Sequence, residues 1–412
     1  MNVSRRTLLK QAGLLAAALP LTRAMAAEAP ASEPLPETLL PYLQNPGPDA
    51  MSVCFLAQKA TTDVRVAWVK DGQSKLIETE ATAAPVPGTP WTLWKARLTG
   101  LVPGTAYRYQ VRHTLGDKEE KTPAYTFRTF DPKASELRVA IFNDIHNHLD
   151  TFEAALASVK PDDFQFTIFN GDMFNDPSAA DGASVVFRLW NDYIRLLDGS
   201  QKPILFVRGN HELRGSFQGK MAHLFDLPNL VATAPEADQE WQYAFTAGPV
   251  HFVVMDTGED DSPTTDPTSY KRPRFWEAFR RKQTAWLDKH LATSEVRDAR
   301  HRVFISHIPL HDPSGDYSIV SRDEWSQRIA ASKFELMLAG HDHSWKFVPE
   351  KKEFTIAKGP LTDKAPIPVL IGGGPAMNQG TLILLTADSK GLRTKMFASV
   401  GGKLLHEGSY KA

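Results

Sequence analysis

Two regimes of hydrophobic patterning divide this chain. Between about residues 40 and 130 the apolar residues come in short runs broken by Pro and Gly turns: Ser52–Ala57, Asp63–Val69, Leu93–Leu98, Ala106–Arg112 and Tyr125–Phe130. Short strands at this spacing predict a β-sandwich of about ninety residues. Beyond residue 136 the runs become continuously apolar: LRVAIF (137–142), FQFTIFN (164–170), PILFV (203–207), HFVVMD (251–256), HRVFIS (301–306), FELMLA (334–339) and PVLI (368–371). Such runs, bounded by Gly, Asn or Asp, predict strands buried on both faces. A helix is expected around Gln283 to Leu291, and Asp131-Pro132-Lys133 marks the boundary between the two regimes.

The polar residues directly after these strands carry the chemistry. Asp144-Ile145-His146, Gly171-Asp172, Gly209-Asn210-His211-Glu212, Ser306-His307 and Gly340-His341-Asp342-His343 each follow an apolar run. Open α/β sheets bind ligands beyond the carboxyl ends of their strands. The pattern therefore gathers Asp144, His146, Asp172, Asn210, His307, His341 and His343 at one rim. Carboxylate and imidazole donors suit hard or borderline dications. Two neighbouring dications need a shared anionic ligand, and Asp172 is the candidate bridge. Asn210 supplies a neutral oxygen. Taken singly each motif has a blander reading: Gly-Asp is a common turn, and Asn210 could cap a helix. All five in one order, each at a strand end, is the informative signal.

That series resembles the calcineurin-like metallophosphoesterase superfamily over about residues 136–400. The resemblance implies a four-layer αββα sandwich around two mixed sheets, preceded here by a fibronectin III-like β-sandwich over 38–131. It implies one metal on Asp144, His146, Asp172 and His343, and another on Asp172, Asn210, His307 and His341. His211 is then the imidazole that faces the substrate. Purple acid phosphatases carry a Tyr ligand three residues after the bridging Asp, where this chain has Asn175; serine/threonine phosphatases carry an Asp there. The first motif, with His146, and Asn175 lean toward the phosphodiesterase branch. The sandwich leans toward purple acid phosphatases: Leu98 to Tyr107 resembles a fibronectin tyrosine corner, and Pro41 to Asn45 resembles their opening strand.

The N-terminus adds a second message. Ser4-Arg5-Arg6-Thr7-Leu8-Leu9-Lys10 precedes an apolar stretch, Ala12 to Leu21, and then Ala24-Met25-Ala26. A charged head, a short apolar segment and an A-X-A site read as a signal peptide, 1–26. The paired arginines resemble a twin-arginine signal, with an ordinary secretory signal as the alternative. Export to the periplasm or medium is the expectation, with no membrane anchor after processing. Residues 27–37, rich in Pro, Ala and Glu, read as a flexible lead-in. Residues 1–26 hold four basic side chains and no acid, so their removal takes the formal charge from −1 to −5. No strong basic field remains for nucleic acid. Cys54 is the single cysteine, which excludes an intrachain disulfide and a thiolate cluster.

The expected activity is hydrolysis of a small phosphomonoester or diester, with two Fe, Mn or Zn ions lowering the pKa of a bridging water for in-line attack. The alternative is a non-catalytic extracellular binding protein with a relic metal site; an intact ligand set argues against it. Asn175 and His311 are the candidate substrate contacts. The polar segment Gly258 to Thr268, with the basic residues after it, could reach a phosphate or simply be a solvated loop. Gly372-Gly373-Gly374 lacks the Lys-Ser/Thr of a nucleotide loop and reads as a tight turn near the site. Nothing in the sequence sets the oligomeric state.

Overall fold

The short runs of the N-terminal part pair into two antiparallel sheets. One holds Tyr42–Gln44, Ala50–Gln58, Trp91–Thr99 and Thr82–Pro85. The other holds Ile77–Glu80, Thr61–Lys70, Ala106–Leu115 and Lys118–Lys121, with Tyr125–Arg128 also on Ala106–Leu115. Alternate residues turn inward, and Met51, Val53, Phe55, Val66, Trp68, Leu98, Tyr109 and Phe127 fill the space between the sheets. The Tyr107 hydroxyl accepts the Val102 N–H at 2.8 Å, tying the turn back five residues upstream. Three strands escape the sequence pattern: IETE, TAAP and KEEK. They are exposed edge strands, with no apolar face to register in the sequence. This computed structural model describes residues 35–58, 60–177, 182–260, 273–315, 318–357 and 362–411. The signal-peptide segment, most of the lead-in and most of the Gly258–Thr268 segment lie outside the described residues.

The continuously apolar runs form two mixed six-stranded sheets. In the first, Leu137–Phe142, Phe166–Asn170 and Ile204–Val207 run parallel. Thr381–Asp388, Gly391–Ala398 and Leu404–Tyr410 extend the sheet antiparallel. The sheet thus runs to residue 410, past the expected end at 400, because its final strand is half-exposed and polar. In the second sheet, Val250–Val254, His301–Ile305, Leu336–Ala339 and Val369–Ile371 run parallel, flanked by Tyr243–Ala247 and Lys346–Val348.

Side-chain parity makes the layers. Phe166 meets Phe245 and Phe252 of the second sheet, whereas Phe169, on the opposite face, meets Trp190 and Tyr193 of the helix Gly182–Leu196. The second sheet buries Val253, Phe304 and Met337 against Leu287, Trp325 and Ile329 of the helices Pro273–Leu291 and Ile319–Ala331. The order is helix, sheet, sheet, helix. Among the described residues no helix is long and apolar enough to cross a membrane.

The β-sandwich is fastened to the first layer by buried polar contacts. Tyr42 and Tyr109 donate their hydroxyls to the Leu224 and Ser200 carbonyls at 2.7 and 2.6 Å. Trp91 packs on Phe187. Cys54 is free and buried, as an apolar core position would be.

Candidate dinuclear metal centre

Parallel strands place their carboxyl ends side by side, and that is where the polar motifs gather. Asp144, Asp172 and Asn210 follow the three parallel strands of the first sheet. His307 and His341 follow two of the second. The donor atoms form two groups, Asp144/His146/Asp172/His343 and Asp172/His307/His341, with all atoms of each group within 4.8 Å of one another. Asp172 belongs to both. The Asn210 Oδ1 joins the second, 2.9 Å from His341 Nδ1 and 3.1 Å from His307 Nε2.

The donor chemistry fits cations. Asp144 Oδ1 and Asp172 Oδ2 are buried with no hydrogen-bond partner. A lone buried carboxylate oxygen is costly unless a cation meets it. His307 Nε2 approaches Asp172 Oδ2 at 3.0 Å, yet the direction is not that of a hydrogen bond. His146 and His343 bring their Nε2 atoms to 2.9 Å with the rings at 81°. The donor atoms thus converge on common points. The residues present fit a metal site.

Charge within the group is strongly coupled. Burial opposes ionisation of Asp144, but the imidazoles of His307, His146 and His343 outweigh it and hold the carboxyl well below its ordinary range. Asp172 behaves alike, with His307 as the main opposing charge. His307, despite burial, is pushed up to about 10 by the two carboxylates. Burial, with His307 adding to it, takes His341 down to about 4.

The backbone is bent to serve this convergence. Asp144, His146, Asp172, His341 and His343 have φ of 52°, 46°, 54°, 76° and 56°. Left-handed conformations are uncommon in residues other than Gly, and they cluster where geometry matters more than backbone ease. Gly209 is required by contact: a Cβ there would lie 2.2 Å from Asp172 Oδ1 and 2.4 Å from Asp172 N.

Around the donors stands a second set of residues that the motifs did not assign. Glu212, fully buried, accepts the N–H groups of Asp172, Gly209 and Phe174 at 2.9, 2.8 and 3.1 Å. Burial, then the Asp172 charge, pushes its carboxyl up to about 7. Asn143 donates to Asp144 Oδ2 at 2.6 Å and to the Gly373 carbonyl at 2.9 Å, drawing the Gly372–Gly374 turn against the site. Asp342 and Asp312 share Lys346, and Ser314 bonds both acids, linking the loops after His307 and His341. Position in a motif could have flagged Glu212 and Asp342. Nothing local could have shown their partners.

His211 sits on a one-turn 3₁₀ helix, His211–Leu213. Its backbone N–H binds Asp172 Oδ1 at 2.8 Å, and its ring lies 4.3 Å from that of His146. The Nδ1 is 2.7 Å from Asp176 Oδ1 and the Nε2 is 2.9 Å from Arg214 Nη1. Burial, and next to it the cations around it against the pull of Asp172, lowers His211 to about 4. Asp176, one residue beyond Asn175, puts an acid beside His211. Asn175 itself meets His146 Nδ1 through its Oδ1 at 3.3 Å, the place of an orienting partner. The expectation that His311 lines the pocket is corrected: its ring is buried, with Nδ1 2.8 Å from Asp363 and Nε2 on Ser326. Both nitrogens are committed to the packing of the helix Ile319–Ala331 and the hairpin strand Thr362–Lys364.

Residues 137–345 match the calcineurin-like phosphoesterase family model. The chain belongs to that family. A solved structure of purple acid phosphatase PPD1 from yellow lupin (Lupinus luteus) seeds covers 89% of this chain and 73% of its own, with a TM-score of 0.64 at 17% identity. At that identity the likeness bears on fold alone, and the shared fold includes the N-terminal β-sandwich. GAP50, the anchor in the inner membrane complex of Plasmodium, is similar over 67% of this chain and 89% of its own, at 13% identity and a TM-score of 0.44. TT1561 of Thermus thermophilus covers 66% and 98%, at 12% identity and 0.33. No protein of curated function matches the sequence. Within the calcineurin-like phosphoesterases, then, this chain pairs the family's two-sheet domain with a β-sandwich and a buried Asp/His centre.

Proposed function

We propose that the protein is an exported phosphoester hydrolase dependent on two metal ions. The observation that carries this reading is the pair of donor groups sharing Asp172, each including a buried carboxylate oxygen that no protein donor meets. Asp144, His146, Asp172 and His343 would hold one ion; Asp172, Asn210, His307 and His341 would hold the other. The ions, Fe, Mn or Zn, supply a water of lowered pKa and positive charge opposite the phosphoryl oxygens. Asn175, in the position that would give a tyrosinate ligand, makes a purple iron centre unexpected.

The chain's own residues do the rest. Asp172, Asn143 and Glu212 keep the donors converged. His211 stands outside the ligand set, partly exposed, its ring 4.3 Å from that of His146. In this reading it hydrogen bonds a phosphoryl or leaving oxygen through Nε2, which meets Arg214 Nη1 in this structure, with the Asp176 carboxylate beside Nδ1. Small phosphoesters are the substrate class, and the twin-arginine pair Arg5-Arg6 directs export to the periplasm or medium.

Metal analysis of the full chain should find close to two transition-metal ions per molecule. His211→Ala should retain both and lose roughly 10²–10⁴-fold in turnover of a nitrophenyl phosphate. Asp172→Asn should lose metal and rate together. A chain that takes up no Mn or Zn overturns the reading.

A further inference from the structure

We propose that Arg214 contacts the substrate directly, donating to a non-bridging phosphoryl oxygen beside the metal centre; the inference rests on the phosphoester reading above. In a 3₁₀ turn side chains three apart eclipse one another. The turn His211–Leu213 therefore stacks Arg214 over His211, and Nη1 lies 2.9 Å from the His211 Nε2. The guanidinium is not a wandering surface cation. Its Nε and Nη2 grip the two oxygens of Glu259 at 2.8 and 2.7 Å, with Asp260 Oδ2 at 3.8 Å. Glu259 is fully buried, and only 12% of the Arg214 side chain is exposed. The fork thus fixes the plane of the guanidinium at the edge of the centre.

An arginine in this place has one kind of chemistry open to it. It does not release its proton at any working pH, so it cannot act as an acid. It can offer an oriented, charged N–H to an anion. Phosphoryl charge is spread over three equatorial oxygens, and planar guanidinium matches that geometry better than ammonium does. Glu259 offsets much of the net charge, so direction, rather than long-range attraction, is what Arg214 contributes. A phosphoryl oxygen entering at this pair would take the Nη1 hydrogen from His211 Nε2, so that Arg214 serves the oxygens that stay and His211 the one that departs.

The experiment uses the full chain loaded with Mn or Zn. Wild type, Arg214→Ala, Arg214→Lys and Arg214→Gln are compared for metal content, for orthophosphate binding by calorimetry, and for kcat/KM on an aryl and an alkyl phosphate. Gln keeps a donor for Glu259 and stands in where Ala does not fold. Both metals should remain in every variant. Orthophosphate affinity should fall roughly 10- to 100-fold in Ala and Gln, the size of one charged hydrogen bond. The loss in kcat/KM should be similar for aryl and alkyl leaving groups, and guanidinium ion should restore part of it in Arg214→Ala. Lys should recover little, having no fork for Glu259. Unchanged orthophosphate affinity, or a loss confined to the alkyl ester, overturns the proposal; so does loss of metal, which would make Arg214 a prop for the Asn210 loop. If wild type hydrolyses neither ester yet binds orthophosphate through Arg214, the contact stands and the hydrolase reading falls. If wild type binds no orthophosphate, both fall.

Discussion

Glu212 is the residue whose removal tests most directly how the centre is held. It is fully buried and coordinates no metal candidate, yet its two oxygens accept three backbone N–H groups. Two come from the residues that carry or flank the bridge, Asp172 and Gly209, and both use Oε2. The third, from Phe174, uses Oε1. Glu212→Gln keeps the shape. The amide oxygen can serve the Oε2 pair, but the amide NH₂ then faces the Phe174 N–H, donor against donor. Losing one bond to a charged acceptor and burying an unpaired donor should cost about 2–4 kcal/mol. Glu212→Ala strands three buried donors and opens a cavity, for about 4–6 kcal/mol or more. The assay is urea denaturation of metal-free protein, followed by titration with Mn or Zn. The Gln variant should unfold earlier and bind its metals more weakly, because the Phe174 amide, two residues after the Asp172 bridge, is no longer held. An apo stability within about 0.5 kcal/mol of wild type, together with unaltered metal affinity, would show that the carboxylate braces nothing.

Three further outcomes are expected. Gly209→Ala should fold poorly or bind no metal, because the new methyl would overlap Asp172; a soluble, metal-replete Ala variant would contradict the contact geometry. His251 is buried, its Nδ1 2.8 Å from Thr246 and its Nε2 2.9 Å from His290, and burial, then His290, lowers it to about 4 from the ordinary 6.5. A histidine kept neutral by the fold contributes stability that is complete above pH 6.5 and lost as pH falls toward 4, at most about 3 kcal/mol; His251→Gln should flatten the urea-derived stability curve across that window, and an unchanged slope would exclude His251 as the source. Arg5→Lys with Arg6→Lys should leave precursor in the cytoplasm, as read by fractionation; normal export would point to the general secretory route.

The convergence of the donor residues was legible because each directly follows a buried apolar run, and parallel pairing then fixes where the run ends. The tyrosine corner was legible for the same local reason. What surrounds the donors was not. Glu212 reads as the tail of a motif until the fold brings the Asp172 and Phe174 amides to it. Asp176 and Arg214 acquire meaning only from the turn that stacks them about His211. The left-handed φ of Asp144 and His343 has no signature in side chains that are not Gly or Asn. His311, four residues after a ligand, looked close to the site, but the loop reverses and buries it on Ser326 and Asp363. Strands such as KEEK were hidden because an exposed edge strand buries nothing.

Neither donor group is contained in one sheet. Asp144, His146, Asp172 and Asn210 hang from the first sheet; His307, His341 and His343 hang from the second. Each ion would therefore be gripped from both sides of the seam. A nascent chain cannot complete the second group before residue 341, or the first before residue 343, has emerged and the second sheet has closed on the first. Metal capture would thus be a late event, a clasp shut after the two halves meet. For a chain that crosses a membrane already folded, the identity of the ions would be settled by the compartment in which that clasp closes.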